Sequence, residues 1–326
     1  MNIKTVLVTG ASGKLGKAIV PALVEAGYKV RVTQFQTPIK FKGASTVTGS
    51  ISDPRFISKA VKGMDAVCHL ATCKEDKDRF LDVSIKGTFH LLEQARDQNV
   101  KQFLLASGDA SIGIFYSPHP QPLDENAPLA AYPGYYAFSK AMEETMVNQY
   151  HLQYGLNTTI LRASWIHGED DTLAHMTLSQ PDFGGPVWEE MATTKRQHSF
   201  FAKKKEGVGC LVHSNGNPFV RHIVALDDVV QSFLISLGNP VATGETFNIA
   251  AASPFSYDVL AEYVSQKLSA PVVPFVCKEG FDFAIDINKA KSLLGYKPKF
   301  DVFQMIDAAM EYRNSGKKRS ALRYKG

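Results

Sequence analysis

The hydrophobic positions in the first half of the chain form short strand-like runs that alternate with longer amphipathic stretches. The strand-like runs are rich in Val, Ile, Leu and Thr and fall at 5–10, 29–34, 45–50, 65–71, 102–107 and 157–164. Helical stretches lie between several of them, at 14–26, 53–62, 78–98 and 134–154. Strands separated by helices of this length predict βαβ crossovers. The pattern therefore predicts an α/β fold, a doubly wound parallel sheet with helices on both faces.

Beyond about residue 167 this alternation breaks up into turn-rich sequence. A strand and a helix return in "VRHIVALDDVVQSFLISLG", followed by a strand in "ETFNIA" and a helix in "SYDVLAEYVSQKL". We therefore expect the sheet domain to comprise 1–166 plus about 220–250. A smaller C-terminal α/β lobe is expected from about 167–219 plus 251–326.

The composition is that of a globular protein with a large core. The chain has 326 residues, 44% of them hydrophobic, and a mild net charge of +4 that gives no reason to expect a nucleic-acid partner. Its four cysteines show no metal-ligand spacing, so reduced thiols and no metal are expected. "TVLVTG" is typical of a strand rather than a signal peptide, and no apolar run reaches about 18 residues. We expect a cytoplasmic protein with no membrane segment.

A glycine-rich loop, "GASGKLG", follows the first strand and opens the first helix. Gly10 permits a tight turn, Gly13 allows phosphates to approach the backbone, and Gly16 lets the helix pack on the sheet. Backbone N–H groups and the positive end of a helix bind a pyrophosphate at such a place. The loop predicts a dinucleotide site that also includes Ser12, Lys14 and Leu15.

A second motif, "PGYYAFSKAMEE", places Tyr136 four residues before Lys140 in a predicted helix. Residues at this spacing share one helical face. A nearby ammonium stabilises a phenolate, which makes tyrosine a better proton-transfer group near neutral pH. The alternative is two ordinary residues on a helical surface.

Together these motifs resemble the extended short-chain dehydrogenases/reductases, and more narrowly the NAD-dependent epimerase/dehydratase family. "DAVCHLAT" on the fourth strand, "VRHIVALDDVV" and the C-terminal "DINKAKSLLGYKPKF" extend the resemblance over nearly the whole chain. The resemblance implies a Rossmann-type NAD(P)-binding domain and a substrate-binding lobe. It also implies that Tyr136 is the catalytic proton-transfer group and that Lys140 lowers its pKa and holds the nicotinamide ribose.

The chain departs from the family where a serine or threonine normally follows the fifth strand. In "FLLASGDASIGIF" that position falls on Gly108. Ser107 is the candidate catalytic substitute, with a local structural role as the alternative, and Asp109 and Ser111 are candidate substrate contacts. Dehydratases of the family carry an Asp-Glu pair here, but Ala110 follows Asp109, which disfavours elimination.

The cofactor residues implied by the resemblance leave NAD and NADP both open. The ribose-binding position at the end of the second strand is Gln34, which does not repel a 2′-phosphate, so NADP is slightly favoured. Lys14 can add positive charge, whereas Lys40 and Lys42 are expected to be surface residues. The other candidates bracket adenine or line the nicotinamide side: Ser50, Ile51, Leu70, Ala71, Ala163, Ser164, Trp165 and Ile166.

In the second lobe, Arg221 matches a family arginine that often meets a nucleotide-sugar diphosphate; an ion pair with Asp227 or Asp228 is the alternative.

The resemblance predicts an NAD(P)-dependent oxidoreductase or epimerase. Its small-molecule substrate would be a secondary alcohol or ketone of a sugar, sugar acid or nucleotide sugar. One alternative is an NADP-dependent carbonyl reductase of the dihydroflavonol/cinnamoyl reductase type, and another is a non-catalytic dinucleotide-sensing regulator. A homodimer is expected through the helices near 78–98 and 134–154.

Overall fold

A computed structural model describes residues 1–120, 122–179 and 186–317. The first half runs through β1 (Thr5–Thr9), α1 (Lys14–Glu25), β2 (Lys29–Gln34), β3 (Ala44–Thr48), α2 (Pro54–Val61), β4 (Ala66–His69), a π-helical segment (Leu81–Lys86), α3 (Gly87–Asp97), β5 (Gln102–Gly108), a 3-10 turn (Asp109–Ile112), α4 (Tyr135–Tyr154) and β6 (Thr158–Ala163). The second half contains β7 (Trp165–His167), α5 (Asp171–Met176), α6 (Lys195–Ala202), β8 (Val208–Val212), β9 (Val220–Arg221), β10 (Ile223–Ala225), α7 (Leu226–Ser236), a 3-10 turn (Pro240–Ala242), β11 (Glu245–Ile249), β12 (Phe255–Ser256), α8 (Tyr257–Leu268), β13 (Val272–Val276), a π-helical segment (Ala290–Leu294) and α9 (Val302–Asn314).

Seven parallel strands form the central sheet, in the order β3-β2-β1-β4-β5-β6-β11. Val6 of β1 pairs with Val30 of β2 on one side and with Ala66 of β4 on the other. The strand order therefore reverses between β1 and β4, and ligands of such sheets bind outside the carboxyl ends of the strands at this point. The predicted α/β class and doubly wound parallel sheet are confirmed.

The sheet is covered on both faces because successive side chains of a strand point in opposite directions. Val6 and Val8 pack into a cluster with α1 and α7, where Ile19 and Phe233 are buried. Leu7, between them, packs into a second cluster with residues of α2, α3 and α4. These buried faces fix the edge at which β1, β4, β5 and β6 end.

A third hydrophobic cluster lies in the second lobe, around the parallel pair β8 and β13 and helices α5, α8 and α9. The chain then returns to the sheet domain, since Phe283, Ile285 and Tyr296 pack into the cluster that contains α1 and α7. This differs from the predicted division, which assigned all of 251–326 to the lobe. Two backbone hydrogen bonds hold this returning segment against Leu123. The N–H of Leu123 donates to Ala284 O, and the carbonyl oxygen of Leu123 accepts from Asp286 N.

In the part of the chain that the structure describes, no helix has the length and apolar character needed to cross a bilayer. Within the same residues, no three His, Cys, Asp or Glu side chains are grouped so that they could hold a metal ion. All four cysteines are free thiols.

Candidate active site

The glycine loop between β1 and α1 has two glycines required by packing and one that is not. Gly10 has φ +68°, and a Cβ there would lie 2.6 Å from the nitrogen of Ala71. A Cβ on Gly16 would lie 2.5 Å from Ala11 Cα. At Gly13 the nearest atom would be Gly10 O at 3.3 Å, so space is left beside the start of α1, which no side chain caps. A phosphate fits such a helix start.

The other cofactor candidates lie along the same edge. Leu70 and Ala71 meet Gly10 at the end of β4, and Ile51 packs against Gly87 at the start of α3. Ser50 shares a hydrogen bond with the hydroxyl of Ser52.

The polar side chain at the end of β2, that of Gln34, carries no charge. Gln34 Oε1 accepts from the backbone nitrogen of Ile39 at 2.8 Å, and residues 34–42 contain no Asp or Glu. Lys14 forms an ion pair with Asp171 of α5, both largely buried. Its charge is therefore matched by a carboxylate of the second lobe, a contact that the sequence analysis missed.

The structure brings Tyr136 and Lys140 together on α4. Lys140 Nζ lies 5.8 Å from the centroid of the Tyr136 ring. The ammonium donates to Ala106 O at 2.9 Å and to Glu143 Oε2 at 2.8 Å. Both side chains of the Lys140–Glu143 pair are buried. The lysine is thus held at the end of β5, one helical turn from the tyrosine.

The start of α4 is fixed by a residue from another loop. Gly134 precedes the helix and has no side chain to cap it. The carboxylate of Glu75 instead accepts from Tyr135 N at 2.7 Å and from Tyr136 N at 3.3 Å. Glu75 therefore orients the helical turn that carries Tyr136.

Gly108 lies directly opposite the Tyr136 hydroxyl. A Cβ on Gly108 would be 3.4 Å from Tyr136 Oη and 3.5 Å from Ala163 O. A side-chain hydroxyl at this position would face the tyrosine, and this chain has none there.

Ser107 and Ser111 do not supply that hydroxyl by their present contacts. Both donate to Glu144 Oε1, at 2.5 and 2.8 Å. Glu144 is itself paired with Arg162 at 2.8 Å inside the protein. Ser111 is fully buried and is not among the described residues that line the cavity beside Tyr136, so the structure does not place it as a substrate contact. The backbone of the 3-10 turn directs it into the core.

A cavity of about 530 Å³ opens between the carboxyl edge of the sheet and the second lobe. Tyr136, Gly108 and the segment Ala163–Ile166 line it. Three aromatic side chains also form part of the cavity wall: Phe115, Tyr116 and Tyr132. The polar side chains that face it include Lys74, Asp109 and Arg221.

Asp109 is a buried carboxyl on this wall. Burial raises its pKa to about 6, although a hydrogen bond from Ser164 and the charge of Arg221 act in the opposite direction. Ser164 Oγ lies 2.9 Å from Asp109 Oδ2 and 2.6 Å from His222 O. A hydroxyl has one proton to donate. The Ser164 proton is therefore shared between two acceptors, the Asp109 carboxylate and the His222 carbonyl.

Lys74 was not identified from the sequence. Its Nζ lies 3.5 Å from the centroid of the Tyr136 ring. Burial, followed by the charge of Lys140, lowers the Lys74 pKa to about 7. The available signal was position, because Lys74 and Glu75 follow β4 at the ligand-binding edge.

Arg221 stands on the cavity wall between two aromatic rings. Its guanidinium carbon is 4.3 Å from the Phe115 centroid and 5.7 Å from the Trp165 centroid. Its Nε is buried without a hydrogen-bond partner. Asp228, one of the alternative ion-pair partners, instead accepts from the backbone nitrogens of Lys299 and Phe300. No ion pair joins Arg221 to either candidate aspartate in the described ranges.

The parallel sheet, the glycine loop and the Tyr-Lys pair define a dinucleotide-binding α/β enzyme. The chain belongs to the NAD dependent epimerase/dehydratase family, whose model matches residues 6–250. The family resemblance drawn from the sequence is thereby confirmed, and the protein is an NAD(P)-dependent oxidoreductase or epimerase of the extended short-chain dehydrogenase/reductase type.

Similar proteins fall in the same class. A uronate dehydrogenase from Pseudomonas syringae pv. tomato is 28% identical over 200 residues, which cover 56% of this chain and 72% of that protein. A UDP-glucose 4-epimerase from Lactobacillus helveticus is 24% identical, with 95% and 97% covered. The crystal structure of a short-chain dehydrogenase/reductase superfamily protein from Agrobacterium tumefaciens with bound NAD has a TM-score of 0.81 at 25% identity, with 95% and 97% covered.

Proposed function

We propose that this enzyme interconverts a secondary alcohol and a ketone on a small anionic sugar derivative, a sugar acid foremost, with a nicotinamide dinucleotide as hydride carrier. The observation that carries the proposal is the position of Tyr136, which lies beside Lys140 and faces the cavity. This cavity opens at the carboxyl edge of the sheet, and the glycine loop lies at the same edge.

The residues along this edge fit a dinucleotide. The space beside Gly13 would be filled by a Cβ and suits a pyrophosphate, while Ser50 and Ile51 would flank adenine. Lys140 would hold the ribose, and Ala163–Ile166 would line the nicotinamide. When bound, the cofactor accepts or supplies hydride at nicotinamide C4. Solved relatives include NAD complexes, whereas the neutral Gln34 tolerates a 2′-phosphate. We propose that the cofactor is NAD or NADP, with a slight preference for NADP.

In this mechanism Tyr136 moves the proton of the reacting hydroxyl. In oxidation its phenolate takes the proton from the substrate alcohol, and in reduction its hydroxyl returns one to the carbonyl. Lys140 stabilises the phenolate by its charge. The wall formed with the second lobe would orient the substrate against Tyr136.

Arg221 supports an anionic substrate. A guanidinium held between two rings, with a buried nitrogen lacking a partner, suits a carboxylate or phosphate. The uronate dehydrogenase relative acts, by its name, on a sugar acid. A nucleotide sugar, as in the epimerase relative, would place its diphosphate there instead. Elimination is disfavoured because Ala110 follows Asp109.

The aromatic wall favours a second candidate. Phe115, Tyr116 and Tyr132 together would also accept the ring of an apolar ketone, as in a carbonyl reductase. A non-catalytic regulator has less support, because the Tyr136–Lys140 pair is intact.

An oxidation and reduction panel tests the proposal. Purified enzyme would be assayed with uronates, neutral aldoses, nucleotide sugars and aryl ketones, with each cofactor, by the absorbance of reduced nicotinamide. We expect turnover of the uronates above the other classes. Preference for aryl ketones would support the second candidate, and tight dinucleotide binding without any turnover would support the regulator.

The role of Tyr136 has a matched control in its neighbour. Tyr136→Phe should lower turnover about 10²- to 10⁴-fold with little change in cofactor affinity. Tyr135 packs its ring on Phe80, with centroids 4.9 Å apart, and Tyr135→Phe should keep near-normal turnover. A fully active Tyr136→Phe beside an inactive Tyr135→Phe would overturn the assignment.

A further inference from the structure

The lysine of the Tyr-Lys pair does not act as an isolated cation. Lys140 Nζ is 2.8 Å from Glu143 Oε2, and their side chains are 3% and 0% exposed. Glu143 Oε1 is buried with no hydrogen-bond partner. Burial raises the Glu143 pKa, while the charge of Lys140 and its hydrogen bond lower it. In its ionised form this carboxylate offsets part of the positive potential that the ammonium creates at a group 5.8 Å away, so a second cation near Tyr136 would add to the support that Lys140 gives.

A second ammonium lies closer to the tyrosine. Lys74 Nζ is 3.5 Å from the Tyr136 ring centroid, and both residues line the cavity. A phenolate spreads its negative charge into the ring, so a cation over the ring face interacts more strongly with the phenolate than with the neutral phenol. The position of Lys74 over the ring therefore favours the phenolate form of Tyr136.

We propose that Lys74 is a positioning residue that stabilises the phenolate form of Tyr136, together with Lys140. The proposal rests on the proposed function, in which Tyr136 transfers the substrate proton. It also relates to Gly108, where a side-chain hydroxyl would face Tyr136 Oη but is missing. The Lys74 charge over the ring would stabilise the phenolate in place of a hydrogen bond from such a hydroxyl. Lys74 acts through its charge and exchanges no proton with the substrate.

Charges of both signs surround Lys74. Lys140 and Lys14 disfavour a further cation at Lys74, while Glu75 and Asp109 favour it. Burial is the largest influence and brings the Lys74 pKa to about 7. A negative charge on Tyr136 would join those that favour the proton on Lys74.

A titration that needs no substrate tests the proposal. Protein labelled with ¹³C at the tyrosine Cζ would be titrated by NMR, and the resonance absent from Tyr136→Phe identifies Tyr136. We expect Lys74→Met to raise the Tyr136 pKa by about one pH unit or more. Lys74→Arg, which keeps the cation, should restore most of the shift. Lys77→Met, on an exposed lysine of the same loop, should change nothing.

A kinetic measurement gives a second readout. Oxidation requires the phenolate, so the acid limb of the kcat–pH profile should move upward in Lys74→Met by the same amount, with the cofactor KM unchanged. An unshifted Tyr136 titration in folded Lys74→Met and Lys74→Gln would overturn the proposal, even if turnover falls. Because the titration is independent of turnover, a protein with no activity on any substrate would refute the proposed function without deciding the role of Lys74.

Discussion

At the residue scale, the three glycines of the first loop exclude a side chain for different reasons. Backbone atoms leave no room for one at Gly10 and Gly16, whereas at Gly13 the space is needed for the bound phosphate. The Gly13 φ of −73° is ordinary for any residue, and only Gly10 O would lie near an added Cβ. We expect Gly13→Val to fold and to lose measurable binding of NAD and NADP by calorimetry, because the branched side chain fills the phosphate position.

Gly10→Val is the contrasting variant for this loop. Its φ of +68° and the 2.6 Å approach to Ala71 N predict misfolding rather than a selective binding defect. A folded Gly13→Val with undiminished cofactor affinity would show that the pyrophosphate binds elsewhere.

Gln34 is the residue that should set cofactor preference. Glutamate has the same shape and keeps an oxygen for the Ile39 N–H, but adds a negative charge where a 2′-phosphate is expected. We expect Gln34→Glu to shift the ratio of kcat/KM values toward NAD by about tenfold, since like charges near 4 Å repel by about 1–4 kcal/mol in a partly solvated site. An unchanged ratio would place the ribose away from Gln34.

The sequence predicted those parts of the candidate site that are local along the chain. Tyr136 and Lys140 share a helical face by their spacing, and the glycine loop follows directly from its strand. Lys74 approaches Tyr136 only through the fold, so no spacing rule identifies it. The inward direction of Ser111 likewise depends on the 3-10 turn after β5 and on the buried Glu144.

At the element scale, α4 depends on Glu75 for the start of its first turn. Glu75→Ala removes the acceptor for the Tyr135 and Tyr136 N–H groups. We expect a loss of about 0.5–1 kcal/mol of stability, modest because Glu75 is exposed, and a lower kcat because the turn carrying Tyr136 loosens. Thermal melts and steady-state kinetics measure the two effects.

Glu75→Gln is the matched control for this helix start, because it keeps an oxygen acceptor while removing the charge. It should retain most of the stability and most of the kcat. If both variants lost activity equally while the helix stayed intact, Glu75 would act through its charge on the cavity rather than as a cap.

The helices and strands of the sheet domain were predictable because their apolar positions repeat with clear periods. The stretch at 78–98 shows what periodicity leaves open. It begins as the π-helical segment Leu81–Lys86 and continues as the α-helix Gly87–Asp97. The spacing of apolar residues does not distinguish a π turn from an α turn, and the junction of the two segments is fixed in the fold by the close approach of Ile51 to Gly87.

At the scale of the whole molecule, the two lobes meet around the cavity through specific polar contacts. Lys14 of the glycine loop pairs with Asp171 of α5, whose carboxylate also accepts from Gly168 N at 2.8 Å. The return of Phe283 and Ile285 to the sheet domain ties the end of the lobe to the core. The division predicted from the sequence missed this return because the segment is short and its partner, Leu123, is distant along the chain.

The outer face of the α3–α4 region carries large apolar side chains exposed to solvent, and we expect it to form a homodimer interface. Leu81, Phe89 and Phe138 are 50%, 45% and 48% exposed, whereas Met146 of α4 packs partly into the core. Paired with a second copy, the apolar side chains would be removed from water.

Phe89→Glu combined with Phe138→Glu should give a folded monomer by light scattering at micromolar concentration. Val259→Glu, on the exposed side of α8, is the control and should remain dimeric. A monomeric mass for the unaltered protein would contradict the prediction.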